Sequence, residues 1–389
     1  MNNQQHTYHA SATLTAPVNQ ELHADGLYHP NLGGITRSGM ANHFPMTIMS
    51  LAALGGTDED IQRFKNRWPR NRTLIQQMGL TDEQIVNLDN WPEYLGRPEL
   101  LIEFKRVFLT GIDSLGADKF INHALNIMAD ALPMGLFHPV IRLSFARMQG
   151  DAGLIADALA YFAIRYQDLY ANIDATEVHA EENVIDIDVL STWTSIAKRI
   201  ETGEVKLNIR GPSLRVGEHL CSDPYVHELA LNQGFTINQT NLPTRMSEIC
   251  KAAVALYLSE PALTTLHAVT AAQALVDLTL SLTSINAVKK TDDDRDNADH
   301  ENQVYVKLWK RYWIWLMGLY LEKRVPKLTF TGFEAGRSPL LNWSSLARFA
   351  VKLNEVHDIK MVFSCKWLAE NLEDHEIYRV AANQIIADH

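Results

Sequence analysis

Residues 259–283 read SEPALTTLHAVTAAQALVDLTLSLT. Ser259 and Pro261 open the stretch, and proline suits the first turn of a helix, where its missing N–H has no intrahelical partner to lose. No glycine or further proline follows, and apolar residues keep helical spacing as far as Thr283. A run of this length exceeds an ordinary strand, so it predicts a long helix in the core. His267 heads its most apolar part, HAVTAAQALVDL.

Working outward, helical spacing also covers Pro243 to Ser259. Downstream, KKTDDDRDNADHEN at 289–302 is expected to be a solvated acidic loop or insertion. A Trp- and Tyr-rich helix follows over about 303–322, and the remainder reads as two or three helices. Upstream, one helix is expected from Asn42 to the Gly55–Gly56 pair, a C-terminal stop. Thr81, with Gln84 three residues later, reads as a capping box. Further helices run from about Asp118 to Leu132, which precedes Pro133, from Pro139 towards Met148, and from Gly153 to Tyr170. Residues 1–20 are polar and expected to be flexible. The stretch 33–39 is turn-like, 171–187 is acidic and irregular, and 203–240 has room for short strands. Alternating β-branched residues are rare. The fold class expected is therefore mainly α: one helical domain over 21–389 with helices around a central buried cavity, minor β allowed.

Composition narrows the function. The chain has 389 residues and a net charge of -11, which argues against nucleic acid and against anionic lipid, because both want a basic face. Only Lys307, Lys310 and Arg311 cluster locally. Cys221, Cys250 and Cys365 are odd in number and far apart, without a C-x-x-C, so neither a disulfide framework nor a zinc–thiolate site is expected. The N-terminal segment lacks the basic start and apolar core of a signal peptide. The longest aromatic-apolar run, Tyr312 to Leu321, is too short to span ~30 Å of hydrocarbon. These features fit a soluble, cytoplasmic protein.

Several cofactor signatures are absent. There is no G-x-G-x-x-G after a strand, no P-loop, no H-E-x-x-H, no Glu-x-x-His and no G-x-S-x-G. His23-Ala24-Asp25 and His179-Ala180-Glu181 imitate part of a two-histidine, one-carboxylate iron site. Both lie in polar segments and are expected to be chance matches on the surface.

Of the 15 histidines, four stand apart. His43 opens HFPMTIMSLAAL, His138 opens HPVIRLSFARM, His267 opens HAVTAAQALVDL and His357 opens HDIKMVFSCKWL. A neutral imidazole buried on such a face must satisfy two ring nitrogens. A backbone carbonyl does this for most single histidines; a shared metal does it for a set. His123, in INHALNIM, is the rival candidate. His357 and Lys360 stand at i and i+3 and share a helix face. A lysine in an apolar site loses its proton readily, whereas one at the surface snorkels to water.

Asn42-His43, GLFHPVIRLSFA, LHAVTAAQAL and HDIK, in this order, resemble the questin oxidase-like family over roughly residues 25–385. The resemblance implies oxidative opening of polycyclic aromatic ketones of the anthraquinone and polyketide type, often described as Baeyer–Villiger oxidation. It further implies a non-heme iron site of four histidines and a carboxylated lysine, here matched by His43, His138, His267, His357 and Lys360. Where many family members carry another histidine soon after the Asn–His pair, this chain has Phe44, Pro45 and Met46.

Trp309, Tyr312, Trp313, Trp315 and Tyr320 on one helix read either as core or as a wall for a flat aromatic ligand. Arg142 lies one turn after His138 and could polarise a carbonyl, or form a structural ion pair; Tyr161, and more weakly Tyr166, are further pocket candidates. The expected function is an oxygenase that uses Fe(II), O2 and an aromatic small molecule, with NADPH as an external reductant. Two other readings stay open: a helical binding protein for a hydrophobic aromatic molecule, and an NADPH-dependent oxidoreductase without a metal. The sequence does not determine the oligomeric state.

Overall fold

The computed structural model describes residues 16–34, 40–68, 72–75, 85–171, 187–205, 221–231, 235–288, 294–324, 328, 339–373 and 375–389. Among them the chain forms fifteen α-helices, three short 3-10 turns and no strand. Extended pairing is limited to the isolated bridges Tyr28–Leu74 and Asn31–Ala41. The mainly α expectation holds.

The central element is the Leu263–Val288 helix. It packs against Leu242–Ser259, His138–Gln149, Val356–Asn371 and Asp294–Glu322. Its apolar residues lie all round rather than in one stripe, the pattern of a helix surrounded by others. The segment Leu263–Leu282 is long and apolar enough to cross a membrane, yet 89% of it is buried inside the protein. The longest apolar stretch is therefore this core helix, not Tyr312–Leu321.

The part of the polar 1–20 stretch that is described is helical, from Ala16 into a helix ending at Asp25, where a flexible segment was expected; residues 1–15 lie outside the described residues. Val18 and Leu22 explain this, since both are fully buried on the core. The backbone is helical from Asp294 to Glu322, so residues 294–302 of the acidic run join the aromatic helix instead of preceding it as a loop, while 289–293 lie outside the described residues. Pro224–Leu231 is a helix within the region that had room for strands. The capping box at Thr81 and Gln84, residues 172–186 with His179, and residues 206–220 lie outside the described residues. A capping box does form at Thr57: its hydroxyl accepts from Asp60 N–H, and Asp60 accepts from Thr57 N–H. Three helices, Trp343–Ala350, Val356–Asn371 and Glu376–Ala387, complete the chain.

Candidate metal centre

Each of the four histidines sits at or near a helix N-terminus. His43 is the N-cap of Phe44–Ala53. His138 opens its own helix, and His357 is the second residue of Val356–Asn371. His267 lies just past the first turn of Leu263–Val288. The packing brings these ends together. Ring centroids lie 4.6 Å apart for His43–His138, 4.7 Å for His43–His357, 4.7 Å for His138–His267 and 5.2 Å for His267–His357. Lys360 joins the group, its Nζ 2.8 Å from His43 Nδ1. His43, His138, His267 and Lys360 are buried, while the His357 side chain keeps 20% exposure and marks the side of the cluster nearest solvent.

The surrounding bonds fix the tautomers. His138 Nδ1 lies 2.5 Å from Gly135 O, and His267 Nδ1 lies 2.7 Å from Leu263 O. A carbonyl oxygen only accepts, so both Nδ1 atoms carry the proton. His357 Nδ1 donates to Glu355 Oε1 at 2.8 Å in the same way. Three rings are thus held with a bare Nε2, the arrangement that outer carboxylates and carbonyls impose on metal-binding histidines. His138 Nε2 and His267 Nε2 face each other at 3.1 Å.

Electrostatics keep the cluster neutral. Burial, then the charge of neighbouring site groups, holds the imidazoles of His43, His138 and His267 well below the ordinary value. Burial and Lys360 lower His357 as well, against the pull of Glu355. Burial pushes the Lys360 amine down to about 7. The converging helix N-termini act in the same direction, because their positive ends disfavour added cations on side chains. As the side chains stand, no group of three or more His, Cys, Asp or Glu among the described residues encircles a point as metal ligands would. The rings instead meet edge to face, with one nitrogen pair in register.

The residues that place His43 and His138 were not evident from sequence. Asn42 Nδ2 donates to Asp25 at 2.9 Å, its Oδ1 accepts from Phe44 N–H, and its N–H donates to Pro30 O. This pins the residue before His43 from both sides. Gly135, Leu136 and Phe137 all have positive φ, at 63°, 55° and 62°. That left-handed turn swings Gly135 O back onto His138. The GLFH string held one signal for it, a glycine that can open such a turn.

Other candidates fall elsewhere. His123 is exposed at the edge of the Trp91 ring, so it does not replace one of the four. Exposed His23 pairs with half-buried Asp151, while Asp25 is fully buried among Asn42, Arg72 and Arg142, so the two do not act as a ligand pair. The aromatic helix is core: Trp309 Nε1 donates to Thr279, Tyr312 OH to Ala268 O and Trp313 Nε1 to Ala230 O. Trp193 stacks on Tyr320, and Trp315 meets the edge of Phe137. Phe44 and Met46, which stand where many family members carry a further histidine, are buried apolar contacts. Arg142 is buried with Nη2 3.5 Å from Asp25, the ion pair expected as one of its two readings. Tyr161 donates its hydroxyl proton to Asn31 Oδ1 at 2.8 Å, and burial raises its pKa. Tyr166 is half-buried, with burial pushing its hydroxyl up to about 12.

No curated protein matches the sequence. A family model does match, from residue 40, just before His43, to residue 365, just after Lys360, so all five residues of the cluster lie inside it. The chain belongs to the questin oxidase-like family.

Proposed function

We propose that the chain is a non-heme, metal-dependent oxygenase, with iron as the expected metal. Its expected substrate is a polycyclic aromatic ketone or quinone, oxidised by Baeyer–Villiger-like insertion or by ring cleavage. One observation carries the metal. Two buried imidazole lone pairs face each other at 3.1 Å, with both protons committed to carbonyls on the far side of the rings. Such a pair repels unless a cation lies between or beside it. A proton is disfavoured there by burial and by Lys360. Nitrogen ligands of one ion at about 2.1 Å are themselves about 3 Å apart when they are neighbours, so the spacing suits a shared metal. The family, named for an oxidase, supports the redox assignment.

His43, His138, His267 and His357 would hold the metal, which in this class of site supplies O2 activation next to the substrate. Gly135 O, Leu263 O and Glu355 hold three rings in the ligating tautomer. Four neutral imidazoles leave a divalent ion uncompensated in a buried site. Lys360 would correct this. Its neutral amine can add to CO2, forming an N–C bond and releasing one proton, which turns a cationic side chain into an anionic oxygen donor. Arg142 would orient the substrate, and Tyr161, its proton held on Asn31, fixes the 29–31 segment. With no dinucleotide fingerprint in the sequence, NADPH would serve only as an external reductant.

The test is metal analysis after anaerobic reconstitution with Fe(II), together with O2 uptake on an aromatic ketone or quinol. We expect about one iron per chain in the native protein and loss of both iron and O2 uptake in His138→Ala. Iron-free native protein, or full activity in His138→Ala, would refute the proposal.

A further inference from the structure

Beside the histidine cluster, four buried N–H groups meet no acceptor among the described residues: His29 Nε2, Arg142 Nη1, and Nε and Nη1 of Arg165. All four are donors. His29 Nδ1 accepts from Asn31 N–H at 3.0 Å, so in the neutral ring Nε2 carries the proton. The ring stays neutral because burial, with Arg142, Arg165 and Lys105 nearby, brings its pKa down to about 4. His29 is fully buried, and Arg142 and Arg165 are 7% and 8% exposed.

Local carboxylates do not balance these charges. Asp25 is shared by Arg72 at 2.9 Å and Arg142 at 3.5 Å, and also accepts from Asn42. Asp157 is held by Lys105 at 2.6 Å. Arg165 takes part in no ion pair among the described residues, although it lies beside Gly135, where an added Cβ would come within 3.0 Å of its Nε. Tyr161, close to both arginines, gives its proton to Asn31 and is kept neutral by burial, so it supplies no charge to balance them. Buried donors of this kind call for an acceptor, and with Asp25 shared between Arg72 and Arg142 and no ion pair at Arg165 among the described residues, an anionic one is called for.

We propose that Arg142, Arg165 and His29 form a buried carboxylate site that anchors an aromatic acid next to the histidines. A carboxylate has two oxygens with about four lone-pair positions and a full charge, so it can serve donors from more than one of these side chains at once. The site is also placed to serve the cluster. Arg142 stands at i+4 from His138 and so shares its helix face. Arg165 packs on the glycine whose carbonyl holds His138. Arg142 also borders a small, water-sized cleft with Tyr28, Leu101, Lys105 and Asp157. The role as a substrate anchor rests on the oxygenase reading, whereas the anion binding itself does not.

The experiment uses the full-length protein stripped of metal with EDTA and titrated by calorimetry with benzoate, the neutral isostere benzamide, and formate. We expect saturable benzoate binding, at least tenfold tighter than benzamide or formate. Arg165→Gln should weaken benzoate tenfold or more, and Arg165→Lys should recover part of the loss. If circular dichroism shows Arg165→Gln to be unfolded, His29→Gln and Arg142→Lys carry the same comparison. Equal affinity for benzoate and benzamide, formate binding as tight as benzoate, or an unchanged affinity in these variants overturns the proposal. His138→Ala separates the two readings: it should lose iron and keep benzoate. A native protein that binds benzoate but no iron defeats the oxygenase reading alone.

Discussion

At the scale of single residues, buried histidines in this chain differ in what their second nitrogen meets. His227 is an ordinary case, with Nε2 against Cys221 O at 2.7 Å. His138 and His267 meet each other instead, with bare nitrogens, which no backbone carbonyl can resolve. His29 meets no acceptor with its Nε2 among the described residues. This last case has a pH consequence. A histidine whose pKa is about 4 when folded and near 6.5 when unfolded stabilises the fold fully above pH 6.5 and loses that stability as pH falls towards 4. His29→Gln keeps an acceptor for Asn31 N–H and cannot titrate. Between pH 7 and about pH 4.5, the native protein should lose roughly 2 kcal/mol more stability than this variant. Urea melts at the two pH values measure it, and parallel losses would show that His29 is not held neutral. The contrast also marks how far residues could be read from the sequence. His138 and His267 announced themselves by heading apolar segments. His29 and Arg165 did not, because a missing acceptor depends on which distant chains pack nearby.

At the scale of elements, the strongest local constraint is the left-handed turn of Gly135, Leu136 and Phe137. Side chains with positive φ cost about 1–2 kcal/mol each, and residues in this conformation usually occur singly. Two successive non-glycine residues here bear that strain, and the turn aims Gly135 O at His138 Nδ1, 2.5 Å away. Strain of this kind tends to persist where it positions a functional group. Gly135→Ala adds a third strained residue and presses a methyl to within 3.0 Å of Arg165. We expect a loss of about 2 kcal/mol in a thermal or urea melt. We also expect weaker iron retention against a chelator, because the carbonyl that orients His138 shifts. A variant as stable as the native protein, with iron bound as tightly, would mean the turn is incidental. Elements were legible where one physical signal dominated. Pro261 and an uninterrupted apolar run gave the Leu263–Val288 helix. The acidic run from 294 to 302 misled because charge reports solvation, not backbone shape. The aromatic helix was ambiguous until Thr279, Ala268 O and Ala230 O were seen to satisfy its polar atoms.

At the scale of the whole molecule, the cluster joins helices from both ends of the sequence. The Phe44–Ala53 and Val356–Asn371 helices pack together, and His43 meets His357 and Lys360 between them. A second tie lies nearby: Asp60 accepts from Lys352 at 2.7 Å, and Arg63 donates to Val351 O at 2.6 Å. The ends are therefore held together by packing and ion pairs independently of any metal, and the apo chain should be folded. A metal that binds only the folded arrangement adds RT ln(1 + [L]/Kd), about 2.7 kcal/mol at a hundredfold excess over Kd. Unfolding entropy of about 2.1 cal/mol/K per residue converts this to a melting temperature rise of about 3 °C for a chain of this size. The rise should be reversed by EDTA and absent in His138→Ala. Its distribution is the sharper test. A metal gripping all four rings must slow hydrogen exchange together in the first turns of the four helices that carry them, on segments far apart in sequence. Protection confined to the His138 and His267 helices would instead describe a two-histidine site, with His43 and His357 as packing neighbours and Lys360 outside the coordination.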